Sequence, residues 1–408
     1  MRIVIVDLHC NGFFLRNLEY IMNKRQSVRK HAFFIDAALN DGYEVLNYIT
    51  GTSSGLWLGK NSLFLNRLEA KYILRKNGFW GKIKNITNQS EIRQDDLVIF
   101  YSHLDDSFDI RSTPGHKYCN VNHFFSMRSV NGVLLRDRLT KEDFEGYICE
   151  ADVMNESAFF RKYLPVDKKI ILMPYIAEMR FQREKTFQDR KNKAVALGSC
   201  GIESDLFMDV YGTKQLHPMR NELWLRRNKN IEQIDCMIEK IVSPKDYFKM
   251  RADENRFVKF SKRVFNHYYR NRNSPFRKNG RNAGYYNKDM VKLLNQYRMF
   301  IYPEEITGMP ALGFVEGMSC GCAYIGLESP MYTNLGMKSG IHYIGYNGSY
   351  NDMIEKIRYY QIQNDELEKI AENGYRFVKE NLTSKKVFRK FIEQLRTAEG
   401  VDAYDSGI

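Results

Sequence analysis

Between Phe300 and Gly326 the chain reads FIYPEEITGMPALGFVEGMSCGCAYIG, and this stretch holds the residues best suited to gripping a polar ligand. Two adjacent carboxylates, Glu304 and Glu305, follow an apolar run, and a third, Glu316, comes after Thr307, Gly308, Met309 and Pro310. A carboxylate accepts hydrogen bonds from both hydroxyls of a vicinal diol, which suits it to a ribose. Thr307-Gly308 before Pro310 suits a helix start. Proline is tolerated in a first turn, and the unpaired backbone N–H groups there can meet an anion, which makes the segment a candidate diphosphate or sugar site.

These residues need a frame. Strand character over Met299–Tyr302, a helix over Pro310–Ser319 and a strand over Ala323–Gly326 would carry Glu316 to the carboxyl edge of a sheet, where open α/β folds bind ligands. The N-terminal half shows the same alternation: strands over Met1–Asp7, Tyr43–Ile49, Asp96–Tyr101, Lys117–Val121, Gly146–Cys149 and Lys169–Met173, with helical patterns such as Val28–Asn40 and SAFFRKYL between them. Strands alternating with helices imply parallel sheets covered on both faces. The segment from Ala177 to Lys193 is polar and highly charged, and a new strand, Ala194–Leu197, follows it, so the domain boundary is expected there. Further on, Tyr286–Tyr297 has a helical pattern. Amphipathic helices over Tyr350–Gln361, Asp365–Asn381 and Ser384–Leu395 close the chain.

A chain of 408 residues exceeds what one core usually organises, in keeping with two domains. No apolar run approaches the roughly 20 residues that cross a bilayer. The opening MRIVIVD reads as a strand and not as a signal peptide, and seven scattered cysteines fit a reducing compartment, so the expected location is the cytoplasm. The net charge of +13 points to an anionic partner: nucleic acid, a membrane surface or a phosphorylated small molecule. The densest basic stretch, Lys259–Arg281, mixes cations with aromatics, which could serve lipid headgroups at the inner face of a membrane, an acidic acceptor or single-stranded RNA.

The segment EITGMPALGFVEGMSCGCAYIG resembles the nucleotide-sugar motif of the large retaining family of GT-B glycosyltransferases, the family 4-like or group 1 enzymes, in which two glutamates flank a Gly-Phe-Gly-Leu-Pro-like stretch. Glu305 matches the first glutamate and Glu316 the second, with Glu304 as an alternative to Glu305. The spacing is three residues longer than the family's, and Gly313-Phe314-Val315 is the apparent insertion. HAFFIDAALNDGYEV, ICEADVMNESAFFRKYL and KKIILMPYIAEMRF are similar to other parts of the family's first domain, by hydrophobicity and length.

The resemblance implies two Rossmann-like domains facing across a cleft: 1–180 for the acceptor and 193–385 for the nucleotide sugar, with a C-terminal helix and tail, 386–408, crossing back to the first. It implies transfer, without cofactor or metal and with retention of configuration, from a nucleoside diphosphate sugar to a glycan or lipid-linked acceptor, as in surface polysaccharide assembly. Glu305 then has a catalytic role, and Glu316, Thr307, Gly308, Met309 and Glu304 hold the donor. The family's histidine near the transferred sugar corresponds to His123, with His103 as the alternative, and the Asn11-Gly12 loop would approach donor or acceptor. A departing diphosphate needs positive charge. The family's usual Arg and Lys are missing after AVALGSC, leaving Lys214 and Arg220, in GTKQLHPMR beside His217, as the cations of choice. Asp105-Asp106 reads as a solvated pair and not a metal site. Competing readings are a nucleotide-sugar epimerase on the same fold, an inactive GT-B-like protein and an RNA-binding protein, although no nucleic acid partner is expected.

Overall fold

The computed structural model of the protein describes residues 1–6, 31–49, 63–101, 109–121, 139–165, 167–240 and 289–398. It divides into two compact units, residues 1–176 with 383–408, and residues 177–382.

In the first unit, β1 (Ile3–Val6) is buried along its whole length, as expected of a β-branched strand covered on both faces. Around it come α1 (Phe33–Asn40), β2 (Val45–Tyr48), α2 (Leu63–Lys76), β3 (Lys84–Ile86), β4 (Leu97–Tyr101), β5 (His116–Asn120) and β6 (Gly146–Cys149). The short helices α3 (Val153–Glu156) and α4 (Ala158–Tyr163) lead into β7 (Lys169–Leu172). The strands form one sheet in the order β3-β2-β1-β4-β5-β6-β7, and every pairing is parallel. Asp41-Gly42 ends α1 as the sequence suggests, with Gly42 at φ +83°, a conformation cheap only without a Cβ.

The last helix, Ser384–Ala398, belongs to this first unit although the chain reaches it from the second. Its Phe388 and Phe391 rings meet Phe34 of α1 edge-on, at 5.2 and 5.3 Å. Gln394 bonds the backbone of Leu172 in both directions, accepting at 2.8 Å and donating at 3.0 Å. Buried aromatic pairs of this kind add about 1 kcal/mol each beyond their area. The crossing helix expected from the sequence is therefore a packed element of the first core.

The second unit runs β8 (Lys191–Ala196), β9 (Ser199–Cys200), α5 (Asp205–Tyr211), α6 (Pro218–Leu225), β10 (Ile234–Cys236), β11 (Glu239–Lys240), α7 (Met290–Leu294), β12 (Tyr297–Ile301), α8 (Gly313–Ser319), β13 (Ala323–Leu327), α9 (Pro330–Asn334), β14 (Ile344–Tyr346), α10 (Tyr350–Ile362) and α11 (Asn364–Asn381). Its main sheet has the order β10-β8-β12-β13-β14, again parallel throughout. The core beneath it is built from residues such as Ala196, Ile301, Ile325, Met353 and Leu367.

Three boundaries differ from the sequence reading. β8 starts inside the charged segment, at Lys191, because Lys191 and Lys193 pair with Asp235 of the neighbouring strand at 3.7 and 3.6 Å and can point outward. The helix expected over Tyr286–Tyr297 is described only as Met290–Leu294, since Tyr297 already pairs with Lys191 as part of β12. The helix expected from Pro310 begins at Gly313. A Cβ on Gly313 would overlap the Tyr302 ring and one on Gly317 the Phe300 ring, so this glycine pair lets α8 lie directly on the end of β12. Residues 313–315, an apparent insertion in the sequence, form the first turn of that helix.

Candidate functional site

In the main sheet of the second unit, Ala196 pairs with Ile301, so the segments leaving β8 and β12 emerge side by side at the carboxyl edge. Helix α6 ties them together. Arg220, 5% exposed, donates from Nε to the Pro303 carbonyl at 2.7 Å and from Nη1 to the Ser199 carbonyl at 3.4 Å. Its guanidinium lies 5.0 Å from the centre of the Tyr302 ring, and Gly198 leaves room for it, since the Arg220 side chain lies 3.2 Å from where a Cβ would stand. Asn221 accepts from the Gly201 N–H at 3.1 Å. The cation is thus held by carbonyls and a ring face at the mouth of two loops.

The loop after β12 carries the two adjacent glutamates, and the fold separates them. Glu304 turns inward: its Oε1 accepts from Tyr332 Oη at 2.6 Å, Tyr324 Oη at 2.8 Å and the Leu327 N–H at 3.0 Å. Burial raises its pKa, against the opposing pull of the Tyr332 hydroxyl, backbone N–H groups and the Tyr324 hydroxyl. It links the ends of β12 and β13 to α9, a structural task, so the alternative placing of Glu304 on the donor gives way to one in the interior. Glu305 stays at the rim, its Oε1 lying 3.8 Å from Nε2 of the buried His217. The Ile306 N–H donates to the Leu216 carbonyl at 2.8 Å, which fixes this loop against the start of α6.

Thr307 and Gly308 form a turn closed by a 2.9 Å bond from the Gly308 N–H to the Glu305 carbonyl, with Gly308 at φ +81°. Because α8 starts later, at Gly313, Thr307-Gly308 lies in a turn and not at a helix N-terminus. The Thr307 hydroxyl is buried, with no hydrogen-bond partner among the described residues. Met309 is buried too, at 6% exposure.

Glu316 sits in α8, 5% exposed. Among the described residues its carboxylate has no hydrogen bond or ion pair. Burial, reinforced by the nearby Glu178 charge and offset in part by Arg180, pushes its pKa up to about 8. Glu178 and Arg180 lie on the segment that opens the second unit and pair with each other at 2.8 Å. A buried carboxylate without donors is costly, so the site favours a ligand that brings them.

Lys214 is placed elsewhere. It sits on the exposed turn before α6 and pairs with Asp205 at 2.5 Å, and that bond raises its pKa. The fold therefore gathers Glu305, Thr307, Gly308 and Arg220 around one loop, adds His217, which sequence reasoning ranked below its neighbours, and ties Lys214 to another carboxylate. The signal for the arrangement was the Gly313-x-x-x-Gly317 spacing, which announces a close approach of helix to strand. Asn11, Gly12, His103, His123, Asp105, Asp106 and the basic stretch Lys259–Arg281 lie outside the described residues. Among the described residues no group of three or more His, Cys, Asp or Glu side chains could hold a metal ion, and no helix is long and apolar enough to cross a membrane.

Residues 249–393 match the family model described as glycosyl transferase-like. No curated protein matches the sequence. Among solved structures, the chain is similar to HepE of Anabaena in complex with UDP, at 10% identity over 97% of this chain and 100% of that one, with a TM-score of 0.52. The same protein with UDP-glucose matches at 11% identity, 97% and 100% coverage and a TM-score of 0.51. Sucrose-phosphate synthase from Thermosynechococcus elongatus matches at 10% identity, 98% and 100% coverage and a TM-score of 0.51. These likenesses are of fold. The chain has the GT-B fold of two Rossmann-like units, and its residues 249–393 carry the glycosyl transferase-like family pattern.

Proposed function

We propose that this protein is a glycosyltransferase that moves a sugar from a nucleoside diphosphate sugar to a glycan or lipid-linked acceptor. The observation that carries this reading is Glu316: a carboxylate buried in α8, without a partner among the described residues, on the same helix–loop unit as Glu305 and Thr307. A ribose diol would supply the two donors it lacks. HepE of Anabaena, of like fold, was solved with UDP and with UDP-glucose, which supports a nucleotide sugar as the donor here. An epimerase or an RNA-binding protein draws no such support.

In this reading Arg220 meets the diphosphate and stabilises the charge on the leaving group. Glu305, oriented by His217, faces the transferred sugar. Metal independence, retention of configuration, and the acceptor role of residues 1–180 with His123 or His103, Asn11 and Gly12 rest on the sequence resemblance, as does work at the inner face of a membrane. A ligand that binds only the folded state raises the melting temperature by mass action. UDP, GDP and ADP and their sugar conjugates are therefore expected to include one that stabilises the wild-type chain and stabilises Glu316→Gln far less. An unchanged shift in that variant sinks the role of Glu316. Isomerised sugar nucleotide formed without acceptor replaces transfer with epimerisation.

A further inference from the structure

Among the described residues of the first unit, the large hydrophobic side chains left exposed are Met1, Leu68 (46%), Tyr72 (43%) and Trp80 (59%). Three of these four fall within one helix and the turn that follows it. Helix α2, LFLNRLEAKYILRK, buries Ala70, Ile73 and Leu74 and turns outward Arg67, Leu68, Lys71, Tyr72, Arg75 and Lys76. Leu68, Tyr72 and Lys76 stand four residues apart along one line, with Arg67, Lys71 and Arg75 beside them, as helical spacing dictates. The helix holds four cations and a single acid, Glu69. Its end is sharply turned: Gly78 takes φ +77° and the Phe79 N–H returns to the Leu74 carbonyl at 2.9 Å. That turn keeps Trp80 at the helix terminus, followed by the exposed Lys82 and Lys84.

A row of aliphatic and aromatic side chains set among Lys and Arg is the pattern of a helix lying in a lipid–water interface. The apolar residues enter the acyl boundary, Trp and Tyr sit at headgroup depth, and the cations meet anionic lipid. Single-stranded nucleic acid fits the face less well, because bases stack on open aromatic faces. The Tyr72 ring face is taken by Lys76, whose Nζ stands 5.4 Å from the ring centre. We propose that the outer face of α2 together with Trp80 is a docking surface for an anionic phospholipid membrane. It is distinct from the basic stretch Lys259–Arg281 singled out in the sequence, and it stands whether or not the second unit binds a nucleotide sugar.

The test is co-sedimentation of the full chain with vesicles of phosphatidylcholine alone and of phosphatidylcholine with phosphatidylglycerol. Wild type is expected to partition onto the anionic vesicles at least tenfold better than onto the neutral ones, and less so as salt rises. Leu68→Ala/Tyr72→Ala/Trp80→Ala and, separately, Lys71→Glu/Arg75→Glu are each expected to lower that partitioning about tenfold. All five positions are exposed, and circular dichroism verifies the fold of both variants. On the anionic vesicles tryptophan emission should shift to the blue, and Trp80→Phe should remove most of that shift, although the chain has three tryptophans. Absence of vesicle binding by wild type overturns the proposal, as does equal partitioning of the variants, which moves the contact to another surface. If wild type ignores vesicles while the charge variant alone loses poly(U) binding, the face reads nucleic acid instead.

Discussion

Glu304 and Glu316 are both about 95% buried in the same unit, yet their surroundings are opposite. The Glu304 carboxylate receives two tyrosine hydroxyls and a backbone N–H on one oxygen. The Glu316 carboxylate receives none among the described residues, and burial pushes its pKa up to about 8. The first contrast lies in donors and the second in neighbours. Glu304 is bonded to Tyr324 and Tyr332, which belong to an aromatic cluster with Phe314 and Tyr343 whose ring centres lie 5.2 to 6.2 Å apart, whereas Glu316 senses the half-exposed Glu178 and Arg180. A carboxylate that gathers three donors on one oxygen holds a fold together. One at similar depth with no donor among the described residues is poised for a ligand that carries its own.

Substituting each residue tests the contrast. Glu304→Ala leaves two buried hydroxyls and one N–H without their acceptor and should cost about 3–5 kcal/mol of unfolding free energy in urea. Glu304→Gln, which keeps an acceptor oxygen, should recover most of that loss. Nucleotide affinity of the folded variants should stay within about twofold of wild type, and a large loss of affinity at unchanged stability would assign Glu304 to the ligand.

Glu316→Gln should do the reverse. Loss of a charged acceptor to a diol weakens nucleotide binding by about 1.5–3 kcal/mol, or roughly 10- to 150-fold by calorimetry. Stability without nucleotide should hold, and should rise above pH 8, where the substitution removes a costly buried charge. A destabilised variant with wild-type affinity makes Glu316 a second Glu304.

The pH dependence sharpens the same point. A carboxylate raised from its ordinary value near 4.5 to about 8 binds more protons in the folded state between those values. Its contribution to stability is therefore full below pH 4.5 and is lost as pH rises through 8, with a slope of at most about 1.4 kcal/mol per pH unit. Urea titrations at pH 6, 7 and 8 should show this slope in wild type and a reduced one in Glu316→Gln. Diol binding needs the ionised form, so nucleotide affinity should climb over the same window only in wild type.

The smallest effects separate the two candidate cations. Arg220→Met should weaken a nucleoside diphosphate about tenfold while leaving the nucleoside nearly unaffected. Lys214→Ala removes only an exposed, solvent-screened ion pair and should change neither affinity. Equal losses in both variants would restore Lys214 to the diphosphate.

Much of the fold was legible because its signals are local. Buried β-branched runs such as Ile3–Val6, the Asp41-Gly42 stop and the periodic helices Tyr350–Ile362 and Asn364–Asn381 announce themselves within a few residues. The short helix Pro218–Leu225 did not, since its polar and apolar residues show little periodicity over so few turns and its N-terminus depends on contacts with the β12 loop. The helix expected from Pro310 was misplaced by one turn, because where α8 starts depends on how closely Gly313 and Gly317 approach Tyr302 and Phe300.

By itself the sequence determined the two α/β halves, the glutamate-bearing stretch of the second and the composition of the closing helices, since propensity, periodicity and turn chemistry act over neighbouring residues. Tertiary structure alone decided that Glu304 belongs to the tyrosines and Glu305 to His217, that Lys214 pairs with Asp205 while two carbonyls anchor Arg220 beside the glutamate loop, and that Ser384–Ala398 joins the first core. Which of two adjacent carboxylates turns inward depends on donors far away in the chain, and only packing brings those donors within bonding distance.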